Sequence, residues 1–288
     1  MQTDVPKIID SHIHLFDPTR PQGVPWPKQG DPIYRPFLAE HYQAVAEPLG
    51  VMAAIAVEAS PWLEDNGWLL EQVEQHDFFL GCVGNLDLGS ADFVRHFERL
   101  ACSPKYLGLR SGNLWDYDLT ALVKKPHVIE HLKLIAAANK TLDLANPDLQ
   151  MLNTVVKIKQ RIPDLRVVID HLPNISLQPD EIEKFKQCLK ELKLLPNLFV
   201  KFSEIAQLSW QHDRFNVQHY QERLDQILNT FGYQAVLFGS DYPNSEYLGE
   251  VSSIFQLVQD YLRDKTALEQ HHIWFLNALN AYDVAFSS

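Results

Sequence analysis

The chain has 288 residues, 46% of them hydrophobic and 22% charged, enough for one large domain with a substantial core. Its net charge of −12 disfavours nonspecific binding to nucleic acid or to anionic membranes, whose phosphates would repel it. Cys82, Cys102 and Cys188 are scattered and odd in number, which excludes a disulfide framework. With no stretch near ~18 consecutive apolar residues and no signal-peptide pattern, a cytoplasmic protein acting on a small molecule is expected.

IIDSHIH, residues 8–14, starts the chain's regular structure: an apolar entry followed by Asp10, His12 and His14. Side chains two apart on a strand point the same way, so both imidazoles would face one space, a common way of offering two nitrogens to one metal ion. Residues 17–36 hold six prolines and two glycines, which rules out regular structure there. This long connection could cover a pocket with Trp26 and Tyr34. A helix is expected over 37–49. VMAAIAVEA (51–59) then gives a doubly buried strand ending near Glu58. Ser60 and Pro61 are suited to open the helix that follows.

FFLGCVGNLDL (78–88) is the third strand candidate and YLGLRSG (106–112), with Arg110, the fourth. Trp115 lies in the loop beyond it. TLDLANP (141–147), RVVIDHLP (166–173), LFVKFSEI (198–205) and AVLFGSDYP (235–243) complete the set. A connection carrying Gln207, Trp210 and His212 separates the last two, and a helical period follows each strand. Eight alternating units over this length predict a single (β/α)8 barrel, residues 1–288.

In such a barrel the active site lies at the C-terminal strand ends. Those ends carry His12, His14, Glu58, Arg110, Asp170, His171, Ser203 or Glu204, and Asp241. A ring of ionisable groups around one mouth is costly unless its members pair or bind something, so packing alone accounts poorly for the set.

With these residues in place, the chain resembles the amidohydrolase superfamily, in particular its lactonase-like branch related to sugar-lactone and pyrone-dicarboxylate lactonases. The matching stretches are IIDSHIH, VEAS, GLR, IDHLP, VKFSEI and FGSDYP, spread from the first strand to the eighth. Two-metal members place a carboxylated lysine on strand four and a histidine on strand five. Here those strands offer Arg110, and Asp143 with Asn146. The resemblance therefore implies at most one divalent metal, zinc or manganese, held by His12, His14 and Asp241 with Glu58 as a fourth ligand. Metal-independent activity, as in some members of the branch, is the other expectation. The chain departs from the sugar-lactonase pattern, which usually has glutamine where this chain has Glu58 and glycine where it has Pro173 or Glu204.

Hydrolysis of a lactone is the expected activity, and metal-dependent decarboxylation of a small aromatic or unsaturated acid is the alternative. Asp241 is the expected general base. Arg110 and His171 are the expected donors to the carbonyl oxygen, and Arg110 could equally hold a substrate carboxylate through its planar fork. Trp26, Tyr34, Trp115 and Tyr242 are expected to line the pocket. No G-x-S-x-G elbow is present for a serine nucleophile.

Overall fold

Strand β1, Ile8–His14, is buried at every position, as a parallel strand covered on both faces must be. In the computed structural model, which describes residues 6–208 and 213–286, seven further strands follow. They are β2 (Val51–Val57), β3 (Phe79–Asn85), β4 (Tyr106–Gly112), β5 (Thr141–Ala145), β6 (Arg166–Ile169), β7 (Leu198–Phe202) and β8 (Val236–Phe238). They pair in parallel in chain order, from β1 to β8, with helices between them, and form the (β/α)8 barrel that the alternation predicts. Trp210 and His212 lie outside the described residues.

Closure between β8 and β1 is made by a few specific bonds. The His14 N–H donates to the Tyr242 carbonyl at 2.6 Å and the Asp241 N–H to the His12 carbonyl at 2.8 Å. The Ser11 hydroxyl reaches the Phe238 carbonyl at 2.5 Å. Gly239 permits this seam, because a Cβ there would stand 2.6 Å from the His12 Cβ.

Inside the barrel, Ile9, Ile55, Val57, Val83, Val168 and Leu237 pack with Ala278, Ala281 and Tyr282 of the C-terminal helical segment. A larger apolar layer lies between the strands and the surrounding helices. Polar side chains from the strand ends gather at the C-terminal rim of the barrel, above a buried group of Asp143, Asp170 and Lys201.

Four of the strands end sooner than the hydrophobic pattern suggests. β5 to β8 stop at Ala145, Ile169, Phe202 and Phe238, and a residue in the left-handed backbone region follows each one: Asn146, His171, Glu204 and Asp241, with φ between 48° and 58°. This turn takes the chain off the ladder and aims the side chain into the mouth. The helix expected at Ser60–Pro61 begins instead at Asp65. Ser60 Oγ accepts from the Trp62 N–H, closing a local turn rather than capping the helix. Among the described residues, no helix is long and apolar enough to cross a membrane.

Candidate active site

Asp10 ties the first strand to the last. Its Oδ1 accepts from the backbone N–H of Ser240 at 2.9 Å and of His12 at 3.1 Å, while the Tyr42 hydroxyl donates to Oδ2. The carboxyl is fully buried. It holds the His12 end of β1 against the segment that carries Asp241.

Three donors then converge: one ring nitrogen each from His12 and His171 and one Asp241 oxygen, all within 4.8 Å of one another. His12 Nε2 lies 3.6 Å from Asp241 Oδ1 and His14 Nε2 lies 3.2 Å from it. The His14 Nδ1 stands 3.0 Å from the Val57 carbonyl. That contact places the His14 proton on Nδ1 and leaves the Nε2 lone pair facing the centre. His171 is oriented by Ser203, whose Oγ lies 2.7 Å from Nδ1.

Burial is the main cause of every pKa shift here. It holds His12 and His171 well below the usual imidazole range, with nearby cationic groups adding to the effect. His14 is lowered to about 4 by burial and then by Arg110. Neutral imidazoles keep a lone pair. Asp241 is pushed up to about 7 by burial, and Glu204 to about 8 by burial and by the neighbouring Asp241.

The residues fit a single metal ion. His12 Nε2 is a buried polar atom with no hydrogen-bond partner, and it stands among two further donors of the types that bind zinc. Glu58 is a correction to the expected ligand set. Its carboxylate is taken by the Arg110 Nε–H at 2.6 Å, the Trp115 Nε1–H at 3.0 Å and the Ser60 N–H at 2.9 Å, so the arginine fork turns it away from the three donors.

Beside this cluster opens a cavity of about 250 Å³, lined among others by His14, Trp26, Arg110, Trp115, His171 and Asp241. Tyr242 and Tyr34 are not on that lining. Tyr242 follows the left-handed turn at Asp241 and points away from the cavity, and its ring packs on Phe37 and Tyr42 at 5.4 and 5.1 Å. Tyr34 is held in a turn by its N–H bond to the Asp31 carbonyl, while Trp26 from the same connection reaches the cavity.

The strand-end reading left several residues without a role. Glu204, offered there only as an alternative to Ser203, lines the cavity, as do Asn146 and Asn244. Asn244 Nδ2 donates to Asp241 Oδ2 at 2.6 Å. Lys201 lies beneath the floor, fully buried, 3.1 Å from His12 Nδ1, 3.0 Å from Asp143 and 2.9 Å from Asp170. A lysine inside an otherwise apolar strand is a sequence signal for such a role; Asn244 carries none.

The sequence model of the Amidohydrolase family matches residues 9–284. An L-fucono-1,5-lactonase from Burkholderia ambifaria is 28% identical over 84% of this chain and 82% of its own length. Among solved structures, an amidohydrolase from Burkholderia multivorans with bound zinc superposes with a TM-score of 0.84 at 23% identity, covering 97% of this chain and 100% of that one. A protein assigned as a 2-pyrone-4,6-dicarboxylic acid hydrolase from Acinetobacter baumannii, with citric acid bound, gives 0.75 at 17% identity, covering 96% and 99%. These two structural likenesses are likenesses of fold.

Proposed function

The chain belongs to the amidohydrolase family, and from that premise we propose that it hydrolyses a lactone, a cyclic carboxylic ester, with Asp241 activating the attacking water. The observation that carries this reading is the buried Asp241 carboxyl on the wall of the cavity, 3.6 Å from His12 Nε2 and 3.2 Å from His14 Nε2; burial pushes it up to about 7. A general base works best when its pKa lies near the working pH. The L-fucono-1,5-lactonase relative supports a lactone as the substrate class.

In this mechanism Asp241 takes a proton as the water oxygen bonds to the carbonyl carbon. The Asn244 amide fixes the carboxyl from its other oxygen. Negative charge builds on the former carbonyl oxygen, where the Arg110 N–H left over from Glu58 is the available donor, joined by His171 when no ion takes its lone pair; one such donor is worth about 3 kcal/mol. The ring C–O bond then breaks, and Asp241 returns the proton to the leaving oxygen. Lactone and water become one hydroxy acid.

His12, His171 and Asp241, with His14 beside them, would hold a divalent ion. When bound, such an ion polarises the carbonyl or acidifies the water. Zinc added to chelator-treated protein should raise its Tm, by a stabilisation of about 2.7 kcal/mol at a hundredfold excess over Kd. His171→Asn should weaken that response. A Tm indifferent to both zinc and manganese would remove the metal from this reading.

A panel of sugar lactones, pyrone lactones and aromatic acids tests the activity itself. Acid release from a lactone above the uncatalysed rate is expected. Carbon dioxide from an aromatic acid, with every lactone untouched, would replace hydrolysis by decarboxylation.

A further inference from the structure

A separate cavity of about 360 Å³ lies away from the barrel mouth and shares no lining residue with the one there. It opens in the outer layer, between the short helix Leu119–Leu122 with its exit, helix Pro126–Ala137 and helix Leu149–Arg161. Ile158, 1% exposed, and the half-buried Val123 and Ile129 give it apolar walls. Thr120 and Thr154 also line it and meet hydroxyl to hydroxyl at 3.0 Å. Thr154 spends its proton on the Gln150 carbonyl, so the Thr120 hydroxyl donates to Thr154 and neither keeps a proton for a ligand.

The other lining residues are Lys124, Lys157 and Arg161, all exposed. Among the described residues, no aspartate or glutamate lines this cavity, and none of the three cations is in an ion pair. That runs against the chain as a whole. It has 25 lysines and arginines against 37 aspartates and glutamates, yet residues 119–161 hold seven of the first kind and three of the second. A helix C-terminus favours Arg161 in its last turn. The same dipole does not account for Lys124, which reaches the cavity from another segment, and Lys157 and Arg161, four apart on one helix, repel each other. An anion lying between the three would relieve that repulsion.

We propose that this cavity is a binding site for a phosphorylated small molecule with a short apolar part. A phosphomonoester carries a charge of about −1.5 to −2 near neutral pH, against three cations. The Arg161 guanidinium matches phosphate oxygens through its planar fork, and the two ammonium groups act as point charges. The apolar part would cover Ile158, Val123 and Ile129. The volume falls in the range of small-molecule sites, about 300–1,000 Å³.

Calorimetry on the full, chelator-treated chain tests this with phenyl phosphate, inorganic phosphate, benzoate and benzyl alcohol. The proteins are the parent, Lys124→Gln, Lys157→Gln, Arg161→Gln and the triple variant. All three side chains are exposed, so each variant should keep the parent's Tm. Phenyl phosphate should bind most tightly, about tenfold better than inorganic phosphate, which lacks the ring, or benzoate, which carries less charge. Each single substitution should weaken it about threefold and the triple at least about tenfold, whereas Lys157→Arg should keep the parent affinity. Raising salt from about 20 to about 200 mM should weaken binding in the parent and much less in the triple variant. No saturable binding of phenyl phosphate would overturn the proposal. So would an affinity unchanged in the triple variant, which would put the phosphate elsewhere, for instance at Arg110 in the mouth. Inorganic phosphate, benzoate or benzyl alcohol binding as tightly as phenyl phosphate would overturn the class of ligand assigned.

Discussion

Asp241→Asn is expected to lower kcat by about 10²- to 10⁴-fold while leaving KM nearly unchanged. The substitution keeps size and shape, so the contacts toward Asn244 and the two imidazoles of β1 persist in outline. What disappears is the carboxyl that burial has brought to about 7, and with it the group able to take the proton from water. Folding should not suffer, since an amide is less costly to bury than a carboxylate; Tm is expected to equal or exceed that of the parent. Lactone turnover should be measured in chelator-treated and in zinc-supplemented protein. Loss of equal size in both assigns it to proton transfer. Loss confined to the zinc-supplemented enzyme would reduce Asp241 to a metal ligand, and kcat within about threefold of the parent would end its role as base.

Lys201→Met is expected to cost about 3–5 kcal/mol of folding stability, the range for removing one partner from a buried ion pair. The ammonium sits between Asp143 and Asp170 at 3.0 and 2.9 Å, all three side chains fully buried. Tyr282 and Thr141 also donate to Asp143, but neither neutralises it. Without the lysine, two carboxylates would face each other in the barrel interior. Adding Asp143→Asn to the lysine variant should restore part of the loss, because removing both partners costs less than leaving one charge alone. Denaturant midpoints of the parent, single and double variants give the comparison. A single-variant loss below about 1 kcal/mol would show that water or a rearrangement compensates the aspartates.

Residues that act through local pattern were legible, and residues that act through turns were not. The H-x-H spacing of β1 placed His12 and His14 on the rim without help from any other segment, because alternation along a strand is a local property. The strand ends also pointed to Arg110, His171 and Asp241, which the fold brings to one cavity. Glu58 sits at that rim too, but whether a carboxylate faces a metal or an arginine depends on a neighbour 52 positions away. Tyr242 was misread because the left-handed turn at Asp241 sends one residue inward and the next against Tyr42. Tyr34 and Trp26 share a connection without periodicity, so nothing in their spacing distinguishes the one that reaches the cavity.

The amino-acid sequence by itself determined the eight alternating units, the barrel they imply and the identity of most polar groups at its mouth, since hydrophobic period and strand-end composition are written within about ten residues at a time. The tertiary structure alone decided which of those groups meet. Seam bonds between residues some 230 positions apart, four left-handed turns that redirect side chains and the arginine that claims Glu58 are products of chain closure. Their energies depend on distances that no short stretch of sequence contains.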